Sequence, residues 1–293
     1  MRMGLEGALA FSSKTRETRA APSRVVLAAR GALSVVLSRD PRDIRAAQEL
    51  RFRVFYEELR AQPDAGNLAN RCDVDEFDAA CDHLLVIDGA GERSNILSSG
   101  KAVGTYRLLR QQAASEEGGF YSQREFDVSS LLARHPALHF MELGRSCVLS
   151  THRTQPVLEL LWLGIWNMVC RNRVDVMFGC ASLPGTDPDA LKMQLSYLAQ
   201  HFSAPPEWRV RAIAARAIAM NRLPDVSYDR RLASRSLPPL VRGYTRLGCF
   251  VGEGAVIDHQ FNTTDVFVLI PVSRISSRYS ARFGSPGEAV LSC

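Results

Sequence analysis

Six charged residues carry the chemistry open to this sequence: Arg51, Asp75, Asp78, Arg107, Glu142 and Arg145. They stand in four short segments, Arg51-x-x-Val54-Phe55, Asp75-Glu76-Phe77-Asp78, Tyr106-Arg107-Leu108 and Glu142-Leu143-Gly144-Arg145. Three of these segments read as strands or strand edges, where charge is disfavoured unless it is paired or used. Carboxylates and guanidiniums that recur at strand ends predict one polar site assembled from distant sequence, and a substrate that uses it.

The elements that must position these residues follow from periodicity. Residues 32–37 alternate and are β-branched enough for a strand. Asp40-Pro41 supplies an N-cap and a first-turn proline. Ile44, Ala47, Leu50, Val54 and Leu59 recur at helical spacing, predicting an amphipathic helix over 44–59 with Arg51 and Phe55 near its apolar face. Residues 60–82 form a polar loop long enough to be functional. Segments 83–87 and 101–109 read as a hairpin with a Gly/Ser-rich turn, and 140–149 as a further strand. A buried helix over 154–169 follows, then a strand over 174–180 and a helix over 188–202. Residues 209–213 read as a strand, 238–246 as a short helix closed by Gly248, and 264–272 as a final strand. Antiparallel strands first and βα alternation later predict an α+β fold, a mixed central sheet with helices on both faces. The expected organisation is a disordered leader over 1–30, one domain over 31–283 and a flexible tail over 284–293.

Composition narrows the class. With 293 residues, 46% hydrophobic and 23% charged, the chain can bury a sizeable core. No apolar run reaches the roughly 20 residues needed to span a bilayer, and the first 23 residues lack the apolar stretch of a signal peptide. The expected location is cytoplasmic, with room for peripheral association on the inner membrane because of the product discussed below. Seven cysteines, none in a C-x-x-C pair or at ligand spacing from a histidine, argue for reduced thiols and no metal. The net charge of +5 is mild but segregated. Five acids and no base lie between Cys72 and Asp82, and nine arginines against three acids lie between Ala204 and Arg246. An acidic pocket suits a cationic small molecule and a basic face an acidic partner; nothing calls for nucleic acid.

The strand over 140–149 leads directly into a buried helix whose N-terminus offers backbone N–H groups to an anionic or carbonyl-bearing ligand. With Tyr244-x-x-x-Gly248, this fits the layout of the GNAT acyltransferases, in which a thioester arm enters a V-shaped opening between two central strands. Here those strands would be the ones carrying Glu142–Arg145 and residues 174–180. The four charged segments resemble the signature of acyl-homoserine-lactone synthases, a GNAT branch that uses acyl carrier protein as donor. After Arg145 the chain departs from them. Ser146-Cys147-Val148, the run Phe178-Gly179-Cys180-Ala181-Ser182-Leu183-Pro184-Gly185 and Leu237-Pro238-Pro239-Leu240-Val241-x-Gly243-Tyr244 are similar to the ornithine Nα-acyltransferases. So are Val251–Asp258 and Phe261-Asn262-Thr263-Thr264-Asp265.

That resemblance covers about residues 32–283. It implies transfer of a 3-hydroxyacyl group from acyl carrier protein to the α-amine of L-ornithine, giving lyso-ornithine lipid. The phosphopantetheine thioester would be co-substrate, with no other cofactor. Ornithine has two amines and a carboxylate. The resemblance therefore implies Asp75 and Asp78 for an ammonium, Arg51 or Arg107 for the carboxylate, Glu142 as general base directly or through a water, and Arg145 to fix Glu142 or the carboxylate. Tyr244 joins them as a substrate-binding residue. Arg153, Arg171, Arg173, Arg209 and Arg211 are the candidates for docking the acidic carrier protein.

Other readings stay open at this level. One is an acyl-homoserine-lactone synthase consuming S-adenosylmethionine, although no Trp precedes Trp162. Another is a non-catalytic GNAT-like module that binds carrier protein. Residue by residue, Glu142 and Arg145 also fit an ion pair bracing a strand, Asp75, Asp78, Asp258 and Asp265 fit turn caps, and Trp162 and Trp166 fit core. His83 and Asp88 match an H-x4-D acyltransferase pattern, but five residues along a strand places them on opposite faces, so they form no pair.

Overall fold

Asp40 and Pro41 begin the first helix as their residue types require. The Asp40 carboxylate accepts the Arg42 N–H at 2.9 Å, and the proline occupies the first turn of α1 (Pro41–Phe52). The computed structural model describes residues 24–89 and 100–275. The helix predicted through Leu59 is α-helical only to Phe52. It continues as a π-helical turn, Arg53–Glu58, in which Leu59 N–H reaches back to Val54 C=O at 3.0 Å.

Around α1 the chain builds β1 (Arg24–Arg30), β2 (Leu33–Ser38), α2 (Ala65–Asn70), β3 (Asp82–Asp88) and β4 (Lys101–Arg110). Next come α3 (Gln111–Glu116), α4 (Val128–Arg134), β5 (Phe140–Val148), α5 (Gln155–Arg171), β6 (Val176–Pro184) and α6 (Lys192–His201). The short β7 (Ala217–Ile218), α7 (Arg230–Ser236), α8 (Pro239–Arg246), β8 (Phe250–Asp258) and β9 (Thr263–Pro271) complete the described chain. Nine strands form one sheet in the order β1-β2-β3-β4-β5-β6-β9-β8-β7. Only β5 and β6 pair in parallel, so the sheet is mixed, as expected.

Strand alternation shows helices on both faces. Val36, Leu85 and Ile87 pack with Ala47 of α1. Their neighbours Val35 and Leu84 meet α5, close enough that a Cβ on Gly164 would touch both. His83 and Asp88 consequently diverge: His83 Nε2 contacts Asp78 C=O at 2.9 Å, and Asp88 faces His152 at 3.3 Å.

Two sequence expectations need correction. The leader was expected to reach residue 30, but Arg24–Arg30 is an edge strand paired to β2; residues 1–23 lie outside the described residues, as do 276–283 and the tail. An arginine at each end disguised a strand that needs one partner only. Residues 209–213 form no ladder: Arg211 and Ala212 make single bridges to Glu253 and Phe126. The edge there is the two-residue β7, and its neighbour β8 went unread because Gly252-Glu253-Gly254 interrupts the alternation at a register shift between Val251 and Ala255. The Gly/Ser-rich turn between β3 and β4 also lies outside the described residues.

Candidate active site

The site forms where the sheet splits. β5 and β6 are both nine residues long, yet they pair only from Phe140/Val176 to Glu142/Phe178 and then diverge. Gly179 marks the apex, because a Cβ there would run into the Leu143 carbonyl oxygen. On its other edge β5 carries a bulge: Arg107 pairs with Gly144 but Thr105 with Cys147, so Tyr106 faces two residues. Arg145 sits in that bulge with φ of 50°, a left-handed conformation that costs a non-glycine residue on the order of 1 kcal/mol. The expected V-shaped opening is therefore built from a short parallel pairing, a glycine and a bulge.

A cavity of about 250 Å³ fills this opening. Arg107, Glu142 and Gly144 belong by register to the sheet face on which α1 packs, whereas Tyr106 belongs to the other, and all of them line the cavity. The cavity thus passes through the sheet. Tyr244 and Leu240 of α8 close the Tyr106 side. The Tyr244 and Tyr106 hydroxyls lie 2.9 Å apart, and burial pushes the Tyr244 phenol well above its usual range.

Glu142 stands at the last paired position. Its carboxylate accepts the Tyr121 N–H at 2.8 Å, the Ser122 N–H at 2.7 Å and the Ser122 hydroxyl. Burial pushes this carboxyl up, and the Ser122 and Tyr121 hydrogen bonds pull it back only in part. A carboxylate has about four acceptor sites, so one remains for a ligand. Arg145, expected to fix Glu142, does not touch it. Instead its Nε binds Asp73 and its Nη2 binds Asp75, each at 3.1 Å, while Tyr121 and Phe261 cover the guanidinium at 4.9 and 4.8 Å.

The remaining charged residues form a closed set of three guanidiniums and three carboxylates. Arg51 Nε lies 2.8 Å from Asp73, and Arg51 Nη2 lies 2.7 Å from Asp78. Arg107 Nη1 holds Asp78 at 3.0 Å and also Asp75, and Asp73 and Asp75 in turn hold Arg145. Arg51 is wholly buried, and neither it nor Asp78 lines the cavity. Arg51, Asp75 and Asp78, expected to bind substrate, each have a counter-charge within the protein, and only Arg107 and Arg145 of this set reach the cavity. For Asp78, burial pushes the carboxyl up, but Arg51 and then Arg107 outweigh it and hold the group below the usual range.

Sequence reasoning missed Asp73, Tyr121 and Ser122, and it reduced Asp265 to a turn cap. Asp258 is such a cap, accepting the Phe261 N–H at 2.9 Å. Asp265 is different. It is 6% exposed on a central strand between β6 and β8, and it lines the cavity. A buried acid amid Val266, Phe267 and Val268 was the available signal.

Comparison with known proteins gives this geometry its context. The acetyltransferase (GNAT) domain family matches residues 50–163, the stretch that holds Arg51 through Arg145. An L-ornithine N(alpha)-acyltransferase of Agrobacterium fabrum is 46% identical over 260 residues, covering 89% of this chain and 88% of the relative. The L-ornithine N(alpha)-acyltransferase of Rhizobium meliloti is 44% identical over 280 residues, 92% and 93% of the two chains. That of Rhodobacter capsulatus is 40% identical over 243 residues, 83% and 91%. The chain belongs to the L-ornithine N(alpha)-acyltransferase family.

Within this family fold the five candidate docking arginines do not make one face. Arg153 lies just before α5, bound to Glu58 at 2.5 Å. Arg171 and Arg173 lie at the far end of that 17-residue helix, about 25 Å away. Arg211 pairs with Glu253 at 3.0 Å, and Arg209 approaches the same carboxylate at 3.9 Å. Spacing in sequence could not show which end of a helix each would occupy. Trp166 is core, and Trp162 packs against it and edge-on to Tyr244 at 6.1 Å.

Proposed function

We propose that this protein transfers a 3-hydroxyacyl group from acyl carrier protein to the α-amine of L-ornithine, giving lyso-ornithine lipid. The observation that carries the reading is Glu142: a buried carboxylate with one acceptor site left, held by three donors where β5 and β6 part. The acceptor occupies the Glu142 face of the cavity, with its carboxylate toward Arg107 and Arg145, and the thioester arm enters from the Tyr106–Tyr244 side. Glu142 takes a proton from the α-ammonium, directly or through one water. The amine nitrogen attacks the thioester carbonyl, and the N–C bond forms as the C–O π pair moves to oxygen. Backbone N–H groups freed where the strands diverge are the natural donors to that oxyanion. Collapse breaks the C–S bond. As the C–S bond breaks, the adduct nitrogen gives up its second proton and the leaving thiolate gains one, relayed through the Tyr244 hydroxyl that burial keeps neutral, while Glu142 returns its proton to solvent. The products are N-acylornithine and the free carrier thiol, with no further cofactor.

No helix among the described residues is long and apolar enough to cross a membrane. The lipid product favours peripheral association through surface arginines. The test of the reading is direct: purified protein, L-ornithine and 3-hydroxyacyl carrier protein of several chain lengths, with products read by mass. N-acylornithine is expected, and no acylated product at any chain length refutes it.

A further inference from the structure

Asp75 and Asp78, the acids expected to hold an ammonium of the acceptor, are paired with arginines, so an acceptor with a second amine needs another anion. The cavity supplies another. Asp265 lines it, is 94% buried by its 6% exposure, and joins no ion pair among the described residues. Its hydrogen bonds come from hydroxyls, Thr263 at 2.9 Å and Ser182, and not from a cation. Asp258 lines the same wall, and Glu125 lies behind Cys180, bound to Arg216 at 3.2 Å. Buried carboxylates without a counter-cation are costly, and a cavity wall is where such a charge can find a ligand. Burial pushes Asp265 up to about 6, with Asp258 adding to the rise, and burial with Asp265 pushes Glu125 up to about 7.

We propose that Asp265, with Asp258 beside it, binds the side-chain ammonium of the acceptor amino acid and so selects a diamino acid. This rests on the acyltransferase reading above. Distance supports it. The Ser122 hydroxyl bonds Glu142 and lies 3.4 Å from Cys180 Sγ. Cys180 Sγ and the Asp265 carboxylate lie within 4.8 Å. The two carboxylates are therefore roughly 10 Å apart or less on one face of the sheet. An extended five-bond chain between two amines spans roughly 6 Å, and a charge-assisted hydrogen bond adds about 2.8 Å at each end. One molecule can thus present its α-amine to Glu142 and its terminal ammonium to Asp265. A metal is the weaker occupant, although Glu125, Cys180 and Asp265 are clustered closely enough for one. Burial pushes the Cys180 thiol well up, opposing the thiolate a metal requires.

The test compares L-ornithine with L-norvaline, which has the same carbon chain and no terminal amine. The wild-type protein is expected to favour ornithine in kcat/KM by about 100-fold or more. Asp265→Asn raises KM for ornithine about 10–100-fold and leaves norvaline within about threefold, collapsing the preference. Should Asp265→Asn fail to fold, Asp258→Asn, at a less buried position, carries the same comparison, with a smaller change in the same sense. A wild-type protein that uses both acceptors equally, or a variant that loses both in proportion, overturns the subsite while the acyltransferase reading stands. A wild-type protein that acylates neither overturns that reading instead.

Discussion

Asp78→Asn separates a scaffold role from a substrate-binding one. The Asp78 carboxylate accepts Arg51 Nη1 at 2.9 Å, Arg51 Nη2 at 2.7 Å, Arg107 Nη1 at 3.0 Å and Gln48 Nε2 at 2.9 Å. Asparagine keeps the shape but replaces one acceptor oxygen with a donor aimed at donors. It also removes one of three negative charges from a buried set that balances three positive ones. Breaking a buried ion pair from one side costs about 3–5 kcal/mol. For a domain of this size that is a Tm loss of roughly 6–20 °C. Urea titration of both proteins gives the free-energy difference directly. The pH dependence supplies an internal check. Because the folded-state pKa is depressed, Asp78 contributes its stability above its unfolded value of about 3.9 and loses it as pH falls toward the folded value. The gap between the two proteins should be full at pH 6–7 and shrink below about pH 4. At moderate temperature the surviving folded fraction should keep its KM for ornithine within about threefold. A variant as stable as the wild type, within about 1 kcal/mol, with KM for ornithine raised tenfold or more would refute the scaffold argument and return Asp78 to the substrate.

Glu142→Gln should lower kcat about 10²–10⁴-fold with the fold retained by circular dichroism. In the wild-type protein, a Glu142 carboxyl pushed above the ordinary range must be ionised to act. The acid limb of kcat against pH should therefore lie above the usual glutamate value of about 4.3. Gly179→Ala forces a methyl against the Leu143 carbonyl at the apex of the split, so both thermal stability and turnover should fall, read by melting and a product assay. Tyr244→Phe removes the hydroxyl paired with Tyr106, and kcat should drop more than KM rises, measured with saturating ornithine. Membrane-associated protein should be released into the soluble fraction by about 1 M salt, since screening removes attraction through exposed arginines.

Local order was legible from residue types. Asp40-Pro41 set the start of α1, apolar runs set β3 through β6 and β9, and Gly248, with φ of 83°, follows the end of α8. These signals are local, because capping and strand alternation act over a few residues. The π-helical turn after Phe52 was hidden, since the apolar spacing through Leu59 suits either helix.

By itself the sequence determined the fold class, the family and the six charged residues that belong together. The tertiary structure alone decided which of them pair with one another. Charge pairing is a matter of distance, and distances between Arg51, Asp73, Asp78 and Arg145 are set by the packing of α1 and the 73–78 loop against β4 and β5. Packing paired Arg51, Asp75 and Asp78 within a charge-balanced set and gave Glu142 the Tyr121 and Ser122 N–H groups with the Ser122 hydroxyl. It also put Asp265, from the last strand of the described chain, into the same cavity, because the sheet order places β9 next to β6.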